Sequence, residues 1–255
     1  MARKTLLYCT LLSLASCFAV SGNTKTAPSS LSPEEIVDKS VAAQGGLQAW
    51  RAVQTISYVG KMESGGRQNV QLPFVIEMKR PRKTRVELEF ANDKAIQVYD
   101  GTNGWKLRPF LGRRSVEPFS PDELKAASLE FDLDGPLVDH SAKGTQVELE
   151  GVEKVEGHDT YKLKLTLKDG RVRHLWVDAE TFLEVKIEGI PRRMDGKMRP
   201  VEIYYRDYKT VNGLLVPYIL ETLVQGVRQS HKMTIEKVVV NPKLDDSLFV
   251  APKPN

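Results

Sequence analysis

VYDGTNGWKL, residues 98–107, decides whether this chain carries a reactive site or a turn. It gathers an aspartate, an asparagine, two glycines and a tryptophan, the residue types of a catalytic cluster. Asp100, however, has no nucleophile, base or metal ligand beside it in sequence to complete a mechanism. Gly101 and Gly104 suit a positive φ, Asn103 tolerates one, and Trp105 opens a returning strand. The stretch therefore predicts a β-hairpin. Similar turn chemistry recurs at Lys168-Asp169-Gly170, Asp178-Ala179-Glu180-Thr181 and Val211-Asn212-Gly213.

Between the turns, apolar side chains alternate with polar ones. Ile56, Tyr58 and Met62 alternate with Ser57 and Lys61, and Val70, Leu72, Phe74, Ile76 and Met78 form the longest stripe. Val86, Leu88 and Phe90 follow, then Tyr161, Leu163, Leu165 and Leu167, then Leu183, Val185 and Ile187. One oily and one wet face per strand belongs to antiparallel sheet, because parallel sheets are buried on both sides.

Two cap signatures interrupt this pattern. Ser32-Pro33-Glu34-Glu35 predicts a helix from Pro33 to about Gln44 that buries Ile36, Val37 and Val41 and stops at Gly45-Gly46. A further turn through Leu47, Trp50 and Val53 is expected to dock on the body. Ser120-Pro121-Asp122-Glu123 opens a second helix with Leu124, Ala127, Ser128 and Phe131 on one face, ended by Asp134-Gly135-Pro136. The expected fold is mainly β (α+β), a single curved antiparallel sheet of about ten to eleven strands with an N-terminal helix and a short lid helix.

Composition excludes several classes. The formal net charge of +4 falls to 4 − 2 = +2 without residues 1–22, too weak a balance for a nucleic-acid binder. Basic clusters at Lys79–Arg85, Arg108–Arg114 and Arg192–Arg199 sit beside prolines and glycines and read as solvated loops, with attraction to anionic lipid head groups as the sharper alternative. Residues 1–22 read as an export signal: MARK is basic, and TLLYCTLLSLASCFAV is apolar but short for a membrane span. Two cleavage schemes fit. Leu14-Ala15-Ser16-Cys17 resembles a lipobox that would end the signal at residue 16 and acylate Cys17 as a lipid anchor, whereas ordinary cleavage falls near Ser21 or Gly22. Residues 23–31 read as a flexible tether. Both cysteines, Cys9 and Cys17, lie in the leader, so the exported body has no disulfide and no thiol nucleophile.

No catalytic constellation is visible. His140, His158, His174 and His231 lack ligand spacing, and Asp132-Leu133-Asp134-Gly135 lacks the later ligands of a calcium loop. The chain is read as non-enzymatic, without metal or cofactor. A membrane-inserted barrel would want aromatic girdles, and aromatics are only 7% of the sequence.

About ten strands each offering inward apolar side chains, with two helices as cover, leave a choice. The sheet either closes and fills its own interior, as most small barrels do, or curls into a trough with room for a guest. A resemblance bears on that choice. Val98–Phe110 (VYDGTNGWKLRPF), Tyr205–Leu220 (YRDYKTVNGLLVPYIL) and Asn241–Pro252 (NPKLDDSLFVAP) resemble, in order, the LolA-like outer-membrane lipoprotein-sorting proteins, over residues 32–252. The resemblance implies an unclosed barrel with a helical lid, binding acyl chains of lipids or lipoproteins in a hydrophobic cavity.

On that reading Ile56, Tyr58, Val70, Leu72, Phe74, Ile76 and Met78 line the cavity, joined by Val86, Leu88, Phe90, Leu163, Leu165, Leu167 and Val185, with Leu124, Ala127 and Phe131 as lid. The family's lid-tying arginine is not assignable among Arg80, Arg82 and Arg85. The implied protein is a monomeric periplasmic or envelope carrier, or an anchored acceptor if Cys17 is lipidated. The alternative is an envelope-stress sensor or scaffold of the same fold, binding a protein partner through the Lys79–Arg85 cluster.

Overall fold

The structure, a computed structural model, describes residues 31–63, 69–91, 93–109, 112–130 and 132–253. The expected signal, residues 23–30 of the tether, Cys17 and Phe131 lie outside the described residues, while Leu31, expected as the tether's end, packs against the main core.

Ser32, Pro33 and Glu35 begin α1 (Pro33–Ala43) as their order dictates. The Ser32 hydroxyl accepts from the Glu35 N–H at 3.2 Å, and the Ser32 N–H donates to the Glu35 carboxylate at 2.8 Å. That satisfies donors a helix start leaves open. Ile36, Val37, Ser40 and Val41 are buried. Gly45 ends the helix at φ +114°, and a Cβ there would meet the Gly213 carbonyl at 2.5 Å, so this close approach needs glycine. α2 (Leu47–Ala52) buries Trp50, whose indole N–H donates to the Gln44 carbonyl at 3.1 Å.

The first half of the chain then meanders outward through β1 (Thr55–Glu63), β2 (Gln71–Lys79), β3 (Lys83–Phe90), β4 (Asp93–Tyr99), β5 (Gly104–Arg108) and β6 (Arg113–Pro118). α3 (Pro121–Glu130) and a turn-rich segment carry the chain to the opposite edge. It returns through β7 (Gln146–Val155), β8 (His158–Thr166), β9 (Val172–Asp178) and β10 (Glu184–Glu188). A ribbon of β11 (Arg192–Met194) and β12 (Lys197–Arg199) precedes β13 (Val201–Val211), β14 (Leu214–Val224) and β15 (His231–Val240). β15 pairs with β1, giving one 13-stranded antiparallel sheet that runs β6-β5-β4-β3-β2-β1-β15-β14-β13-β10-β9-β8-β7. β6 and β7 are its two edges and do not pair, so the barrel stays open.

The strand count exceeds the expected ten to eleven. The edge strand β6 (RRSVEP) and the separate ribbon of RRM and KMR are short and basic and show no alternation to read.

Register places the stripes on one concave face. Ile56 pairs with Met78, Tyr58 with Ile76, Ile76 with Val86, and Phe74 with Leu88. α1, α2 and Leu133, Leu137 and Val138 of the segment after α3 pack into this face as the main core. On the convex face charges interdigitate: Lys186 lies 3.7 Å over the Trp176 ring, and the Trp176 N–H donates to Glu153 at 3.0 Å. A second, small core joins Ile96, Val98 and Leu107 to Phe249 of the C-terminal 3-10 helix (Asp246–Phe249).

The opening stretch is the expected hairpin. Asp100 accepts from the N–H groups of Thr102 at 2.8 Å and Asn103 at 2.6 Å. One detail differs from expectation: Gly101 has φ +102°, but neither Asn103 nor Gly104 adopts a positive φ. Gly104 is needed for space instead, because a Cβ would sit 2.0 Å from the Phe119 ring.

Candidate functional site

The concave face is not filled. A cavity of about 880 Å³ remains between sheet and cover, in the upper part of the ~300–1,000 Å³ range of small-molecule pockets. Its oily wall comes from both halves of the sheet: Tyr58, Phe74, Ile76 and Met78 on one side, Ile203, Leu220, Met233 and Ile235 on the other. Trp50 and Leu133 contribute from the cover.

α3 follows the edge strand β6 and packs against β5. Its N-terminus repeats the capping box, with the Ser120 N–H donating to Glu123 at 2.8 Å and the Glu123 N–H to the Ser120 hydroxyl at 3.2 Å. The same Glu123 carboxylate accepts from Lys106 of β5 at 2.6 Å. Ala127 is buried and Leu124 half-buried, the face the sequence indicates. Near the other end of the helix, the Ser128 carbonyl accepts from Arg82 Nη1 at 2.8 Å.

The neighbouring arginines have other partners. Arg80 donates to the Val53 and Trp50 carbonyls at 2.7 and 3.0 Å and to Asp134 at 2.6 Å, while Arg85 binds Glu87 and the Leu248 carbonyl. Lys79 and Lys83 both pair with Asp246. The basic residues of the Lys79–Arg85 cluster thus each have a partner within the chain. Asp132 and Asp134 likewise hold Lys143, at 2.8 and 2.6 Å. Burial alone would raise the Asp134 carboxyl, but Lys143 and Arg80 outweigh it and hold it below the usual range. No group of three or more metal-ligating side chains occurs among the described residues.

Several titratable groups line the cavity, and burial shifts some of them. Burial raises the Glu184 carboxyl to about 7, against the pull of Gln44, Lys143 and Arg173. Burial also pushes the Tyr58 and Tyr205 hydroxyls above their ordinary value, so both stay neutral. These groups can hydrogen-bond a guest but have no partner set for catalysis.

Of the residues expected to line the cavity, Tyr58, Phe74, Ile76, Met78 and Leu167 do so. Ile56, Leu163 and Leu165 share the concave face but are fully buried under α1 and its neighbours, and Leu72 is buried too. Val86 and Leu88 are half-buried on the same face, off the cavity wall. Val70 and Phe90 are 40% and 42% exposed, because the stripe runs past the end of the covered trough. Val185 lies at a bulge between Glu184 and Lys186, which turns Glu184 and Ile187 inward in its place.

The wall from β13 to β15 is absent from the sequence reading. Its signal, Ile203 with Tyr205 and Met233 with Ile235, is an alternation broken by the positive φ of Asp207 and by the shift opposite Val59 and Gly60.

An open antiparallel half-barrel with an apolar cavity on its concave face defines a class of fold. In particular, the chain has the fold of the LolA superfamily. It matches a LolA superfamily protein from Nitrosomonas europaea with a TM-score of 0.57 at 14% identity, covering 87% of this chain and 98% of that one. An outer membrane lipoprotein-sorting protein domain from Vibrio parahaemolyticus matches at TM-score 0.55 and 14% identity, over 84% and 94%. A DUF1329 family protein from Desulfovibrio piger matches at TM-score 0.58 and 14% identity, over 86% and 98%. Residues 136–252 match a family model that carries the description "Uncharacterized protein". No curated protein matches the chain in sequence.

Proposed function

We propose that the protein is a non-enzymatic carrier or acceptor of the cell envelope that holds acyl chains of lipids or lipoproteins in this cavity. The observation that carries the reading is the unfilled space of about 880 Å³ with oily walls beneath a helix held largely by polar contacts. Each methylene moved from water to such a wall contributes about 0.8 kcal/mol, so a long chain supplies on the order of 10 kcal/mol before ordering costs. Tyr58, Phe74, Ile76, Met78 and Leu167 contact the chain, while Ile56, Leu163 and Leu165 support the wall. Arg82 acts as the arginine that ties the lid. Residues 1–22 direct export, and a mass measurement of the mature N-terminus decides whether Cys17 carries a lipid.

Native mass spectrometry of the protein purified from its own envelope tests the proposal. Co-purified lipid or acylated protein is the expected result. A lipid-free species that also fails to bind an uncharged fluorescent acyl probe would remove it.

A further inference from the structure

The polar part of the cavity wall falls into two adjoining patches of different charge. In the segment after α3, opposite charges are matched: Lys143 bridges Asp132 and Asp134, and Arg80 also holds Asp134. The second patch is built where the β8–β9 turn, the start of β9 and the start of β11 meet. Lys168, Arg171, Arg173 and Arg192 all line the cavity there, against the single carboxylate of Asp169.

That carboxylate is already engaged, since Arg171 Nε donates to Asp169 at 2.5 Å. Arg173 donates through Nε and Nη2 to the main-chain oxygen of Glu188 at 2.8 and 2.6 Å, a neutral acceptor that fixes the guanidinium in place. The Glu188 carboxylate is turned to the other face, where the His174 N–H donates to it at 2.9 Å and the His174 ring contacts it at 2.8 Å. Lys168 and Arg192 are exposed, and their side chains form no hydrogen bond or ion pair among the described residues. Glu184 is also within electrostatic reach of Arg173. Its burial keeps it from supplying a full counter-charge at neutral pH.

A chain seated along Ile76, Leu220 and Met233 therefore has a cationic patch beside it, with one arginine oriented by the fold. We propose that the acyl guest carries an anionic head group, a carboxylate or a phosphate, that docks on Lys168, Arg173 and Arg192. The proposal rests on the acyl-binding reading and deepens it. The physical reasons are direct. Charge-assisted hydrogen bonds to carboxylate or phosphate are the strong ones, and a planar guanidinium matches both bidentately. Because Lys168 and Arg192 are exposed, their share of the attraction is screened by salt.

Displacement of an uncharged fluorescent probe from the purified mature chain at neutral pH separates the possibilities. Hexadecanoate, monohexadecyl phosphate, hexadecanol and hexadecyltrimethylammonium present the same chain under four head groups. The expected result is that the two anions displace the probe at concentrations about tenfold or more below hexadecanol and the cation, with the gap narrowing at high salt. The stronger anion identifies whether a fatty-acid carboxylate or a lipid phosphate is the better match. The Lys168→Glu/Arg192→Glu double variant, confirmed folded by circular dichroism, is expected to lose the preference. Equal displacement by anion and alcohol, or a preference that survives the double reversal, overturns the head-group proposal while acyl binding stands. Failure of every chain to displace a bound probe, or of the probe to bind, overturns the acyl reading as well.

Discussion

Arg82 reaches from the turn between β2 and β3 to the last turns of α3, where its Nη1 donates to the Ser128 carbonyl at 2.8 Å. A single hydrogen bond of this exposed kind contributes about 0.5–1.5 kcal/mol net. At the other end Lys106 holds Glu123, and between them Ala127 is buried and Leu124 half-buried. A cover attached so weakly opens well below the cost of global unfolding.

Arg82→Ala is expected to speed amide hydrogen exchange in residues 121–130 several-fold while shifting Tm by only about 2–4 °C. It should also quicken release of a bound acyl probe. Unchanged exchange in α3 would show that Arg82 is not a latch.

Glu184 makes stability fall as pH rises. The residue is 8% exposed, and burial raises its carboxyl from 4.5 to about 7. The folded state holds the proton more tightly than the unfolded chain, so the group costs nothing below 4.5. The penalty builds through the window up to about 7 and is constant above it. At about 1.4 kcal/mol per unit the full effect is on the order of 3 kcal/mol. Urea unfolding across this window should show Glu184→Gln gaining on the wild type as pH rises, then holding level. Parallel curves for the two proteins would contradict the burial argument.

The sealed core and the cavity wall should respond differently to truncation. Leu163 is fully buried, so Leu163→Ala leaves a new void and is expected to cost about 2–5 kcal/mol. Ile76 is half-buried and already borders open space, so Ile76→Ala only enlarges it and should cost less than about 2 kcal/mol. The same variant should weaken acyl-probe binding, and Leu163→Ala should not at temperatures where it remains folded. Chemical unfolding together with probe titration checks both.

What could be read from the sequence follows from how local each signal is. Ser32 with Glu35 and Ser120 with Glu123 are caps completed within four residues, and both form as written. The stripe from Leu72 to Met78 identifies a concave face because side chains alternate strictly along an unbroken strand. Which part of that face stays open is a three-dimensional matter. Leu163 and Ile76 carry the same pattern, and only the placement of α1 and of Leu137 and Val138 seals one and not the other. Glu184 escaped notice because a bulge reverses its direction, and the cationic patch because it joins residues from the β8–β9 turn, β9 and β11.

The glycine-rich hairpin links to the cover through space that one side chain fills. Phe119 stands immediately before the Ser120 cap of α3, its N–H donates to the Gly104 carbonyl at 2.8 Å, and its ring occupies the place a Gly104 Cβ would take, 2.0 Å away. Gly104→Ala must therefore push the ring aside, an overpacking expected to cost about 1–3 kcal/mol. The displacement passes directly to the first turn of α3, so exchange should quicken at residues 122–124 as well as in the hairpin. Phe119→Ala removes the obstacle, and in that background Gly104→Ala should cost almost nothing further. A double-mutant cycle by chemical unfolding measures the coupling between the two positions. Additive costs would mean that the glycine serves the turn's backbone after all, and that hairpin and cover are mechanically independent.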